Sequence, residues 1–151
     1  MTLPYYIQFV LAFLASLCFA IVFNCPKKES VTSGVGGGFA WVIYVFVYHK
    51  TMNAVMGIFV ASLFAAAYSR IYSYKHMEPS TVFLLPSIVP LVPGSGMYRT
   101  MKAILDTNIY DTFIQAVKVI KFSGVIAIAI MIVFVLPYSY FELGRQKKPK
   151  F

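Results

Sequence analysis

Between Pro86 and Lys118 the sequence gathers the residue types that bind or move a small charged solute. Pro90, Pro93, Gly94, Ser95 and Gly96 stand in an otherwise apolar run, and Tyr98, Arg99 and Lys102 follow directly. Pro86, Pro90 and Pro93 are too close together to share one regular helix, because each removes a backbone donor and presses on the carbonyl four residues earlier. The spacing predicts a bend over Pro93 to Gly96, with a new helix capped near Ser95 or Gly96. Its free N–H groups and positive dipole end would suit an anion such as a carboxylate. Arg99 and Lys102, three apart, share a face of that helix. They either add positive charge to the bend or lie at the membrane surface.

Farther along, Asp106, Thr107 and Asn108 read as a helix start. Asp111, Gln115, Lys118 and Phe122 then recur at spacings of four, three and four, which draws one polar stripe along a helix. Such a stripe is a solvated face or the lining of a water-filled pathway. In a pathway, Asp111 or Lys118 would hold substrate or carry a coupling proton, with Asp106 as a further acidic candidate.

Other chemistry is not supported. His49 and His76 each stand alone near span ends, and no acid pair or Ser, His, Asp set has a recognisable context, so no catalytic residue, metal site or cofactor is expected. Cys18 and Cys25 are about 10.5 Å apart along a helix, too far for a disulfide, and lack metal or redox spacing. The run Ser33, Gly34, Val35, Gly36, Gly37, Gly38 lacks the Lys-Ser or Lys-Thr that would complete a phosphate loop.

The elements that must position these residues are membrane spans. The chain has 151 residues, 60% of them hydrophobic and 12% charged. A soluble domain carries roughly 25% charged residues. Residues 1–26, 30–48, 51–69, 79–98 and 122–141 contain no Asp, Glu, Lys, Arg or His. Each window is close to the roughly 20 apolar helical residues that cross a bilayer core. The fold expected is all-α, a single polytopic membrane domain with about five transmembrane helices. The spans are placed at about 3–24, 33–48, 52–70, 80–105 and 120–140, and residues 141–151 form a basic tail. In the fourth span the helical part before the bend, 80–92, would reach only about 20 Å, which marks a broken or re-entrant element lining a cavity.

Within the spans, Gly34 and Gly38 form a pair of small residues that lets a neighbouring backbone approach. Gly57, Ala61, Ala65 and Ser69 line a second small-residue face, turned toward this chain or toward a partner. Tyr68, Arg70, Tyr72, Tyr74 and Lys75 read as the aromatic and basic belt of a helix leaving the membrane. Asn24, Cys25 and Pro26 end the first span, which is long enough to stay in place and has no basic n-region of a signal peptide.

The formal net charge of +8 does not point to nucleic acid, since the basic residues are scattered over short connections and a tail. It points to topology. With five crossings and the N-terminus outside, Lys27, Lys28, Arg70, Lys75, Arg145, Lys147, Lys148 and Lys150 lie inside. Lys50, Arg99, Lys102, Lys118 and Lys121 lie outside. The positive-inside rule then places the C-terminus in the cytoplasm.

The segment Pro86-Ser-Ile-Val-Pro-Leu-Val-Pro-Gly-Ser-Gly-Met-Tyr-Arg-Thr-Met101 resembles the threonine/serine exporter family, with support from Phe19-Ala-Ile-Val-Phe-Asn-Cys-Pro26 and the glycine run. More narrowly, the chain is similar to the small five-span subunit of the split, two-component type. The resemblance implies a bacterial cytoplasmic-membrane secondary exporter of threonine and serine, with dicarboxylates such as succinate linked to some split members, and coupling to the proton gradient. It also implies a larger membrane subunit as partner, the two forming an inverted repeat. Pro90, Pro93, Gly94, Gly96, Tyr98 and Arg99 are carried over as the pathway-forming bend. A non-transporting scaffold subunit and a self-sufficient homo-oligomer are the alternative readings.

Overall fold

The computed structural model describes residues 4–136; the basic tail, Pro137 and Leu3 lie outside the described residues. Six α-helices follow in order: α1 (Tyr5–Val22), α2 (Lys27–Thr51), α3 (Ala54–His76), α4 (Ser80–Ile88), α5 (Gly94–Leu105) and α6 (Ile109–Val135). A short 3-10 turn, Val89–Leu91, continues α4. The helices α1, α2, α3 and α6 are long and apolar enough to cross a membrane, and the bent pair Ser80–Leu91 and Gly94–Leu105 brings the possible crossings to five. The chain is thus an all-helical polytopic membrane protein.

The helix ends follow local rules. Asn24 adopts φ 56, and the Cys25 and Asn24 N–H groups bond back to the carbonyls of Ala20 and Ile21, a Schellman stop for α1. Asn53 caps α3 by accepting from the Val55 N–H at 3.0 Å, and Asn108 caps α6 by accepting from the Asp111 N–H at 3.1 Å. Thr107, at φ 54, closes α5, so of the predicted trio only Asn108 starts the next helix.

Helix α2 begins at Lys27, several residues before the expected start at 33. Lys and Glu propagate a helix well, Pro26 occupies the N-cap position, and Glu29 in the first turn complements the dipole. At about 37 Å, α2 outreaches the hydrocarbon core, so its charged first turn need not sit at the centre of a bilayer.

Helix α2 is the centre of the bundle, and its glycines are its contact points. A Cβ at Gly34 would meet Phe13 and Leu17, one at Gly38 would meet Phe9, and one at Gly37 would fall on the Ser16 side chain. The opposite side of the glycine run touches other elements: a Cβ at Gly36 would lie 2.5 Å from Ser87 Oγ and 2.7 Å from Tyr68 Cε1. The seam on α3 is also internal. Gly57 packs against Tyr44, while Ala61 and Ala65 join Ala40, Ile58, Leu91 and Ile126 in the core. The small-residue faces are therefore used within this chain, which lets α1, α3 and α4 approach α2 closely.

Candidate functional site at the broken fourth helix

Helix α4 carries Pro86 in its interior. The missing N–H leaves the carbonyl of Val82 without its helical donor. Ser33 Oγ supplies one at 3.1 Å, and Cys25 Sγ approaches the same oxygen at 3.5 Å. Ser87 Oγ has one hydrogen and two carbonyls in reach, Phe83 O at 2.7 Å and Ser33 O at 3.2 Å. A proline-bearing helix is thus held by serines that repair its backbone.

The element then breaks. Pro90 opens the 3-10 turn, Val92 is extended at ψ 132, and Pro93 takes the N-cap position of α5. The first bond of α5 runs from the Met97 N–H to Pro93 O at 3.1 Å, so the N-cap is Pro93 and not the expected Ser95 or Gly96, and α5 starts at Gly94. The two arms are bent by 60°. The reason for the earlier start is Pro93 itself, whose fixed φ of −76 is already compatible with a helix entry.

Two cavities adjoin this bend. The smaller, about 160 Å³, is lined by Pro93, Ser95, Gly96 and Arg99 on one side and by Gln115, Lys118, Val119 and Phe122 of α6 on the other. A Cβ at Gly96 would come within 2.9 Å of Val119 Cγ2, so glycine there permits the close crossing of α5 on α6. The larger, about 340 Å³, is walled by Trp41, Tyr44, Ile58 and Phe122 and floored by the bend from Pro90 to Ser95. Pro93, Ser95 and Phe122 belong to both. A Cβ at Gly94 would meet nothing within 4 Å, so this glycine leaves space open. Trp41 is fixed by its Nε1–H, which donates to Gln8 Oε1 of α1 at 3.2 Å.

The pair of cavities is polar at one end and aromatic at the other. Arg99, Lys118 and the N-terminal end of the α5 dipole supply positive potential, and Gln115 and Ser95 add neutral hydrogen-bonding groups. Trp41, Tyr44 and Phe122 present ring faces, which accept apolar groups or a cation. The arrangement can hold a small solute with a carboxylate at one end.

The structure brings Pro90, Pro93, Gly94, Ser95, Gly96, Arg99 and Lys118 to these two cavities. It does not bring Tyr98, Lys102, Asp106 or Asp111 there; these four are exposed, as are Arg99 and Lys118 at the rim of the smaller cavity. Asp111 accepts from the Asn108 side chain at 2.6 Å, a capping role at the start of α6. Helical spacing alone gave Arg99 and Lys102 one face, but with α5 packed on α6 only Arg99 lines the gap between them.

Two features escaped the sequence reading. Arg70, placed there in an interfacial belt, is 1% exposed and donates from Nη1 to Val133 O at 2.6 Å and Leu136 O at 2.7 Å, at the end of α6. Glu29, unremarked there, is 8% exposed and meets His76 at 3.0 Å. A signal existed for both. Ile58, Ser62, Ala66 and Arg70 repeat at four along α3, and Glu29, Ser33, Gly37 and Ala40 follow a helical face of α2 once that helix is started at Pro26; all are buried.

The family model described as Threonine/Serine exporter, ThrE, matches residues 8–136. A curated relative, the "Probable threonine/serine exporter" of Mycobacterium tuberculosis (strain ATCC 25618 / H37Rv), is 22% identical over 103 residues. The match covers 68% of this chain and 20% of that protein, so the chain spans about a fifth of the relative's length. No solved structure matches the chain.

Proposed function

The chain belongs to the threonine/serine exporter family, and from that premise we propose that it is the small subunit of a two-component secondary exporter in a bacterial cytoplasmic membrane. Its cargo is a small hydrophilic carboxylate-bearing metabolite of the threonine/serine type, moved outward at the expense of the proton gradient, with the C-terminus on the cytoplasmic side. A larger membrane subunit supplies the matching half of an inverted repeat, and access alternates by rocking of one half against the other. The observation that carries this reading is the pair of cavities at the bend. An α5 N-terminus, Arg99 and Lys118 face one end and aromatic rings the other.

In this reading the cargo carboxylate sits at the first turn of α5, against Arg99 and Lys118. Ser95 and Gln115 bond its hydroxyl, and the ammonium lies toward the rings of Trp41, Tyr44 and Phe122. A dicarboxylate is the second reading. It is favoured by one observation: the polar cavity is lined by two cations and no acid that would pair an ammonium. Competition by succinate and by threonine for the same efflux separates the two.

The test uses Arg99→Ala and Gly94→Leu, each expressed with the larger subunit at normal levels. Gly94 lines the larger cavity and a Cβ there would meet nothing within 4 Å, so leucine is accommodated at its base and takes up open space at the bend. Both variants are expected to lower efflux by about tenfold or more, as loss of a charge-assisted contact or of the cavity would do. Unchanged efflux in both makes the proposed site wrong. Full activity of the larger subunit alone in proteoliposomes would instead demote this chain to a scaffold.

A further inference from the structure

The acids first considered for proton coupling, Asp106 and Asp111, are exposed. A different ionisable pair joins a buried carboxylate to a solvent-reached imidazole at one end of the bundle. Glu29 lies in the first turn of α2, and its Oε1 is 3.0 Å from Nδ1 of His76, the last residue of α3. Its Oε2 is buried and has no hydrogen-bond partner among the described residues. The imidazole is flanked by Tyr72 at 5.8 Å and by the fully buried Phe83 of α4 at 6.0 Å between ring centroids. α2 and α3 are joined at their other ends through Met52 and Asn53, so the pair closes the open end of that hairpin.

We propose that Glu29 and His76 form the proton-binding site of this chain and, resting on the exporter reading above, that the proton they carry is the coupling proton. The geometry assigns the chemistry. Nδ1 faces a carboxylate, so it carries a hydrogen in both protonation states and donates it to Oε1. The proton that comes and goes is therefore the one on Nε2, on a side chain that is 31% exposed and so reached by water. With it bound, an imidazolium faces a carboxylate and the α2 and α3 ends are tied by opposite charges. Without it, the buried carboxylate keeps only a neutral Nδ1–H donor and no compensating charge, which loosens that end. Imidazole suits the task because one ring nitrogen can hold the carboxylate while the other exchanges a proton with water.

The surroundings leave this pair in charge of that end. Lys27 and Lys28 flank Glu29 on α2, Tyr72 and Lys75 flank His76 on α3, and Glu78 lies in the turn to α4. Arg70 is spent on the carbonyls of α6. Cys25, before α2, has its thiol pushed up by burial and stays protonated. α4 brings no titratable group, and α1 brings only Tyr5, Tyr6 and Cys18.

The test uses the full chain produced with the larger subunit in membrane vesicles. In Glu29→Gln and in His76→Gln, gradient-driven efflux of threonine is expected to fall by about tenfold or more and to lose the pH inflection of the wild type. Exchange of threonine at equal pH on both sides is expected to stay within about twofold, because binding and rocking need no net proton movement. Glu29→Asp, which keeps the carboxylate, restores part of the driven efflux. Driven efflux with an unchanged pH profile overturns the assignment. So does equal loss of efflux and exchange in all three variants, the mark of a pair that only holds helices together. Wild-type vesicles with neither activity sink the exporter reading, and the pair is then judged on the nitrogen-15 histidine spectrum of the chain. Titration at Nε2 with Nδ1–H retained supports the proton site; titration at Nδ1 overturns it.

Discussion

Arg70 shows what a single charge can do inside an apolar bundle. Helix α6 ends at Val135, and its last carbonyls have no intrahelical donor. The guanidinium reaches them from α3, donating to Val133 O and Leu136 O, with its Cζ 5.5 Å from the centroid of the Phe134 ring. Positive charge is favoured at this end of a helix dipole, and the fork geometry of Arg lets one side chain serve two acceptors. Arg70→Ala should cost about 1.5–3 kcal/mol for the charged hydrogen bonds alone. The check is the midpoint of denaturation of the chain in mild detergent, where Arg70→Lys should recover only part of the loss. Its residue type alone is ambiguous, since an Arg among tyrosines near a span end is also what an interfacial anchor looks like, while its spacing of four from Ile58, Ser62 and Ala66 points inward. Only the position of α6 separates the two.

At the scale of elements, the broken fourth helix is a consequence of proline chemistry that the rest of the chain has been built around. Pro86 orphans Val82 O, and the donor comes from Ser33 on α2. Ser33 can reach because the glycines that follow it bring α2 close to its neighbours. Ser33→Ala should therefore destabilise by roughly 1 kcal/mol, the loss of one hydrogen bond to an acceptor that keeps only the weak Cys25 thiol donor, although alanine is the better helix former. The same denaturation midpoint reads it. Ser33→Ala combined with Pro86→Ala should lose much of that penalty, because alanine in place of the proline would restore the helical donor. The existence of the break was legible in the sequence, as was its approximate position. The cap at Pro93 and the hydrogen bonds across helices were not, because they depend on which side chains of a distant segment arrive beside each carbonyl.

At the scale of the molecule, α2 organises the bundle and α5 departs from it, resting on α6 alone among the described elements. The outward faces of α1, α5 and α6 are apolar and exposed, including Val10, Leu14, Tyr98, Leu105, Phe113 and Met131. That suits contact with lipid or with another membrane subunit. If the chain crosses five times with its basic tail inside, a fluorescent protein fused after Phe151 should be bright, and an alkaline phosphatase fused there inactive; the reverse result inverts the topology. By itself the sequence determined the solvent and the fold class, because uncharged windows of bilayer length need no tertiary partner to be recognised. It also determined where regular helix must fail, since proline acts on its own backbone. Tertiary structure alone decided which charges are buried and which polar residues meet. Arg99 and Lys118 converge on one cavity while Lys102 and Asp111 do not, and Glu29 finds His76 across 47 residues of chain. Those outcomes depend on helix rotation and on the 60° bend, quantities fixed by packing between distant segments and not by spacing within one.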